Sequence, residues 1–395
     1  MSERSFAARW VFPVSGPPVP NGVLVVRDGL IVSVEPRDVR TPDEDLGNVA
    51  LVPGFVNAHT HLDLSGARGL IPPTDADHFT DWLRGVIAYR RTRTPEQTQA
   101  DIRTGLAECL KFGTTLLGDI AAEGASWDAL AQADVRSVVF HEVIGFSTTR
   151  WWEAQKALAA WKQRPESVTC RTAVSPHAPY STSLPLMRSV ASNEWRVAVH
   201  LAEAPAEAEL LEHRSGPFRA FLEALGIWPP DGLAQSFREV WWRMRRAPLA
   251  LLIHCNYLPP DAHLRAHQSV VYCPRTHAAF GHAPHPFRDF LARGVRVCLG
   301  TDSLASNPDL DILAEARFVR ERYPDFPGSA LLRMITLSGA EALGWADECG
   351  SLCAGKSADA VAVPLPNADA ADPHELLLLP NDGDRRTLFR GAWRS

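Results

Sequence analysis

Lysine is nearly missing from this chain: of 40 basic residues only Lys111, Lys156, Lys162 and Lys356 are lysines, and the other 36 are arginines. Cysteine is present but unorganised. The seven (109, 170, 255, 273, 298, 349 and 353) are odd in number, scattered and without a C-x-x-C pair, which argues against a disulfide framework or zinc-thiolate site and for packed thiols in a reducing compartment. No apolar run approaches the roughly 18 residues of a membrane span, and the start, MSERSFAARW, carries charge without an apolar run of about 7 to 15 residues behind it. The expectation is a cytoplasmic protein with no membrane partner. Basic stretches are no longer than Arg243, Arg245 and Arg246 on a chain of net charge −6, so no nucleic-acid partner is expected either. What remains is a chain of 395 residues, 46 % hydrophobic and 22 % charged, which suits a soluble globular protein and excludes disorder, collagen and coiled coil as dominant states.

The first 50 residues read as short strands, Ala7 to Pro13, Val23 to Val26 and Ile31 to Val34, with a turn at Asp28-Gly29. The same texture returns after Gly350 in SADAVAVPLP and RRTLFRGAW. These ends predict one small β domain built from residues 1–50 and 347–395. Between them, in residues 51–346, eight Val-, Ile- and Leu-rich runs alternate with amphipathic stretches: 51–56, 114–120, 135–143, 168–174, 195–201, 249–254, 269–274 and 295–300. Buried strands alternating with helices imply a parallel sheet, and eight is the number that closes a (β/α)8 barrel. The alternative, an open doubly wound sheet, is disfavoured because no glycine-rich dinucleotide fingerprint follows any run. The predicted fold is therefore α/β, a (β/α)8 TIM barrel carrying a small β-sandwich domain.

Active-site residues of such barrels come from the C-terminal ends of strands, so the candidates can be read off in order. Run one ends in His59 and His61, run five in His200 with Glu203 just beyond, run six in His254 and run eight in Asp302. His59 and His61, two apart on an extended backbone, point to one face and can share one ion. A single H-x-H is a weak signal; four strands delivering His and Asp to one rim are hard to explain as packing.

The motifs PGFVNAHTHLDLSG, SPHAPYS, HLAEAPAE, CPRT, LGTDSLASN and GKSADAV resemble the amidohydrolase superfamily, in its cytosine deaminase, chlorohydrolase and S-adenosylhomocysteine deaminase branch, along nearly the whole chain. That resemblance implies a divalent metal held by His59, His61, His200 and Asp302. Binuclear relatives bridge two metals through a lysine after strand four; here that position reads Ser175-Pro176-His177 and none of the four lysines can reach the rim, so one metal is expected, zinc with iron as the alternative. The implied chemistry is attack of metal-bound hydroxide on a ring carbon with release of ammonia, Asp302 taking the proton, His254 orienting and Glu203 shuttling protons. His177 is expected against the purine ring and Trp82 against the pocket; where many relatives have Cys-Pro-x-Ser-Asn at the seventh strand this chain has Cys273-Pro274-Arg275-Thr276-His277, and Arg275 and His277 are expected against the substrate.

Relatives acting on S-adenosylhomocysteine carry a glutamate for the ribose after Trp82; here the segment holds Arg84, Tyr89, Arg90, Arg91 and Arg93, so arginine pairing with a substrate carboxylate is one reading and a solvated helix face the other. The leading expectation is a hydrolase of carbon-nitrogen bonds in cyclic amidines, deaminating an aminopurine or a 5′-modified adenosine such as aminodeoxyfutalosine. The alternatives are a chlorotriazine or alkylamine hydrolase, a guanine deaminase-like enzyme, an imidazolonepropionase-like ring opener that releases no ammonia, and a non-catalytic ligand-binding barrel. The last has no need of Glu203. Trp241-Trp242 and Trp151-Trp152 are read as core, a homo-oligomer interface being the alternative.

Overall fold

The computed structural model describes residues 3–394 apart from 193, 230 and 382. Eight parallel strands, Phe55–Thr60, Thr114–Ala122, Arg136–Val143, Cys170–Pro176, Arg196–Leu201, Leu249–His254, Gln268–Tyr272 and Arg296–Leu299, pair in chain order. They read as near-continuous apolar runs because each is covered by helices outside and packed side chains inside. Val56, Ala58, Leu116, Ile120, Phe140, Ala198, Leu251, Ile253, Val271 and Cys298 fill the interior, and Leu343 and Trp345 close its lower end. Closure of the barrel runs through the residues of interest: Asp302 N donates to His59 O at 3.0 Å, and Asn57 and Thr301 exchange hydrogen bonds of 2.8 and 3.1 Å. A Cβ at Gly300 would stand 2.8 Å from His59 Cβ, so this seam requires glycine.

The run 51–56, expected as one barrel strand, is divided at Gly54. Val49–Pro53 joins the terminal sheet between Glu3–Val11 and Ala360–Pro364, whereas Phe55–Thr60 opens the barrel. The chain crosses from one layer to the other where a Cβ would lie 2.0 Å from Thr115 Oγ1. The terminal sheet has the order Ala392–Trp393, Arg386–Phe389, Ala360–Pro364, Val49–Pro53, Glu3–Val11, Val19–Arg27, Leu30–Pro36, with Glu44–Asp45 beside Glu3–Val11. Two of its hairpins turn on residue pairs with positive φ, Asp28 (52°) with Gly29 (80°) and Arg390 (50°) with Gly391 (80°), the turn whose twist matches the flanking strands. The architecture is the barrel with a small β-sandwich domain. The buried Arg136–Asp359 ion pair joins the first turn of the third barrel strand to the terminal sheet. No helix among the described residues is long and apolar enough to cross a membrane.

Candidate active site

His59, His61, His200, His254 and Asp302 meet at the C-terminal mouth of the barrel, all at least nine-tenths buried. Their strands place them by three devices. His200 continues the inward phase of Ala198 on the fifth strand. His59 and His61 lie out of phase with Val56 and Ala58, and the register against the second strand shifts between Asn57 and Thr60 to turn them inward. His254 and Asp302 adopt left-handed backbone, with φ of 67° and 60°, as do their neighbours Cys255 and Ala202. Left-handed non-glycine residues are costly, and four of them on one rim mark a site that the surrounding fold holds in place.

The donor geometry fits a single ion. Neither ring nitrogen of His59 has a hydrogen-bond partner among the described residues, although both are buried. His61 Nε2 and His200 Nε2 face each other at 3.2 Å, and Asp302 Oδ1 stands 3.4 Å from His59 Nε2 and 3.7 Å from His61 Nε2. Two nitrogens on one tetrahedral zinc at about 2.0–2.1 Å would be about 3.4 Å apart. Two overlapping sets, His59 with His200 and His254, and His59 with His61 and Asp302, bring their donor atoms within 4.8 Å of one another. Because both contain His59, they describe one centre. His200 Nδ1 donates to His177 O at 2.9 Å, which leaves its Nε2 lone pair free, and burial lowers the pKa of His61, His200 and His254 and so keeps the imidazoles neutral.

Glu203 lies beside this centre, 3.2 Å from His254 Nε2 through Oε1 and accepting from Tyr180 Oη at 3.3 Å through Oε2. Burial raises its pKa well above the usual carboxylate range, and the negative charges of Asp302 and Glu207 add to the effect. The dry surroundings come from an apolar wall over the mouth in which Tyr180 stacks on Phe218 (4.4 Å) and Phe79, Trp82 and Phe280 pack edge to face or tilted. Glu207 holds the Glu203 loop from below, accepting from Ala202 N (3.1 Å) and Glu203 N (3.0 Å).

A model of the amidohydrolase family matches residues 50–386. The chain belongs to the amidohydrolase family. Among similar proteins, a 5-methylthioadenosine/S-adenosylhomocysteine deaminase of Nitratidesulfovibrio vulgaris is 29 % identical over 374 residues, 88 % of this chain and 80 % of that protein. An aminodeoxyfutalosine deaminase of Deinococcus radiodurans is 28 % identical over 359 residues, 84 % of this chain and 83 % of that one. The crystal structure of Helicobacter pylori aminofutalosine deaminase shares the fold with a TM-score of 0.86, at 21 % identity over 100 % of both chains.

Other residues singled out from this amidohydrolase's sequence fall in three positions. His177 sits at the mouth, its ring 4.7 Å from that of His200 and its Nδ1 2.6 Å from Ser181 Oγ. Trp82 is in the apolar wall and donates to Ala305 O at 3.4 Å, tying the helix Phe79–Thr92 to the loop after the eighth strand. Arg275 and His277 depart from the expected substrate contact. The Arg275 guanidinium is taken up by Glu315 (2.7 Å), Asp309 (2.7 and 3.0 Å) and the carbonyls of Asp309 and Asp311, and His277 Nε2 donates to Ala283 O at 2.9 Å. Both order the loops that follow strands seven and eight. Arg90, read as a partner for a substrate carboxylate or part of a solvated helix face, is held between Asp63 and Glu142. Glu142, near the end of the third strand, was not among the sequence candidates; the available signal was an acid close to the C-terminal end of a strand-like run.

Proposed function

We propose that this amidohydrolase is a metal-dependent aminohydrolase of a 5′-modified adenosine, with aminodeoxyfutalosine as the preferred substrate. The observation that carries the reading is the desolvated Glu203 carboxyl 3.2 Å from His254 at the rim of a His and Asp donor set. The names of the similar deaminases support the substrate class. His59, His61, His200 and Asp302 would hold one divalent ion, zinc being favoured by nitrogen and oxygen donors. When bound, such an ion lowers the pKa of a coordinated water to about 7.

The protein groups divide the remaining work. Asp302 Oδ2 is fixed by Ser306 Oγ at 3.0 Å, which aims Oδ1 into the centre, where it receives the proton of the attacking water. Glu203, whose protonated form burial favours, gives its proton to the ring nitrogen beside the attacked carbon, takes up the second proton of the water as its oxygen becomes the ring carbonyl, and passes this one to the leaving amine; the proton held by Asp302 then resets Glu203. His254 orients the incoming oxygen, its own backbone carbonyl anchored by His285 Nε2 at 2.7 Å. The apolar wall of Trp82, Phe79 and Phe280 excludes competing water. The test is ammonia release from the metal-loaded protein with aminodeoxyfutalosine, 5′-methylthioadenosine, S-adenosylhomocysteine, guanine and a chlorotriazine. Ammonia from the modified adenosines is the expected result; none from any of them, with chloride or alkylamine released from the triazine, would replace the reading.

A further inference from the structure

At the mouth of the barrel a buried cluster sets two carboxyl groups against one guanidinium. Arg90, on the helix Phe79–Thr92, places Nε 2.9 Å from Asp63 Oδ2 and NH2 3.3 Å from Asp63 Oδ1, and gives NH1 to Glu142 Oε2 at 3.0 Å. The side chains of Asp63 and Glu142 are 5 % and 4 % exposed. One guanidinium thus serves two carboxylates, and Glu142 Oε1 has no hydrogen-bond partner among the described residues. A buried carboxylate oxygen without a donor costs on the order of the desolvation of that group, and native structures keep few of them.

That free oxygen faces His177 Nε2 at 3.8 Å. Ser181 Oγ stands 3.2 Å from Ala178 O and 2.6 Å from His177 Nδ1; in the tautomer in which it donates to Ala178 O it accepts from His177 Nδ1–H, and Nε2 is an acceptor. In that tautomer two acceptors, too far apart at 3.8 Å for a direct hydrogen bond in any case, flank one position next to the catalytic centre, since the His177 ring lies against His200. A donor from outside the chain would satisfy both.

We infer that Glu142 is a substrate-specificity residue whose Oε1, with His177 Nε2, accepts hydrogen bonds from a neutral O–H or N–H donor of the substrate. This rests on the aminohydrolase reading above for the class of ligand, a hydroxylated nucleoside. A carboxylate or phosphate of the ligand is excluded from this position by charge, and Arg90 serves to aim Glu142 rather than to bind an anion. The donor can be a sugar hydroxyl or an N–H of the base, and these are separable.

The experiment uses the metal-loaded full chain and its Glu142→Ala and Glu142→Gln variants. Binding of 5′-methylthioadenosine, its 2′-deoxy and 3′-deoxy counterparts and its N6,N6-dimethyl counterpart is measured by calorimetry, with turnover followed in parallel. Loss of one hydrogen bond to a charged acceptor should weaken binding of the parent nucleoside by about 10- to 100-fold in Glu142→Ala. Glu142→Gln, which keeps an acceptor oxygen, should recover part of this. The loss should vanish for the one analogue that lacks the contacted donor: a deoxy analogue identifies the sugar, the dimethylated one the base. Equal loss on all four nucleosides, no loss on any, or no binding by the parent protein would overturn the inference. Discriminating binding with no ammonia release would instead retain Glu142 and reject the aminohydrolase reading.

Discussion

Glu203 and Asp302 are buried carboxyls of the same barrel mouth, yet their surroundings push them towards opposite protonation states. Burial dominates at Glu203 and raises its pKa, helped by the charges of Asp302 and Glu207. At Asp302 burial also works upward, but His59, His254 and the Ser306 hydroxyl outweigh it and the pKa falls. Carboxyls separated in this way can serve as acid and base at one pH. Glu203→Gln keeps the shape and removes the transferable proton, so kcat should fall by about 100- to 10,000-fold with metal content and KM little changed. His59→Ala should lose turnover together with the bound metal, as measured by elemental analysis of the purified protein; full activity with an empty centre would refute the ligand assignment. Both residues could be named from the chain because each ends a strand-like run. Glu142 and Asp63 could not be paired in the same way, since nothing local links residues 63, 90 and 142 until the barrel brings their strands and helix together.

The elements were legible where burial is complete. Parallel strands covered on both faces read as Val, Ile and Leu runs, and all eight runs coincide with barrel strands within a few residues, apart from the division at Gly54. That division escaped notice because both pieces of the run are equally apolar, one packed in the terminal sheet and one in the barrel. The connecting loops were less legible. Arg275 looked available to a substrate, whereas the helix Ile312–Arg322 carries Glu315 up to it and leaves Glu315 fully buried. Arg275→Met should therefore strand a buried carboxylate and destabilise the fold by about 3–5 kcal/mol. Thermal denaturation checks the first part. Turnover of the fraction still folded should keep its KM, and a raised KM with unchanged Tm would restore the substrate contact.

For the whole molecule, buried histidines that do not reach the catalytic centre are expected to contribute to the response to acid. Burial lowers the pKa of His277 to about 4 and that of His282 to about 3, from an ordinary value of 6.5. Between pH 6.5 and about 3 to 4 these two side chains take up protons in the unfolded chain that they refuse in the folded one, so their contribution to stability is full above pH 6.5 and falls as the pH drops through this window. The Tm should decline across that range. In a His277→Gln, His282→Gln double variant the decline should be shallower, and an unchanged slope would show that other groups carry it. Hydrogen-bond partners remain possible for glutamine at both sites, Ala283 O and Tyr257 Oη.

Taken alone, the order of apolar runs determined the barrel and its companion β sheet, and the chemistry at the run ends picked out His59, His61, His200, Glu203, His254 and Asp302 as candidates, because buried strands and strand-end residues are properties of short segments. The scarcity of lysine bore on the metal in the same way: Lys111 lies against Phe112, Lys162 pairs with Glu194 and Lys356 with Ser351, all away from the mouth. Tertiary structure decided which charged groups are spent on one another and which are left facing the ligand. Arg275 and Arg90 are neutralised by acids 27 to 52 positions away, Glu142 keeps one oxygen without a partner among the described residues, and Glu203 is desolvated by Tyr180 and Phe218. These outcomes depend on distance and burial across separate strands, which no local pattern contains.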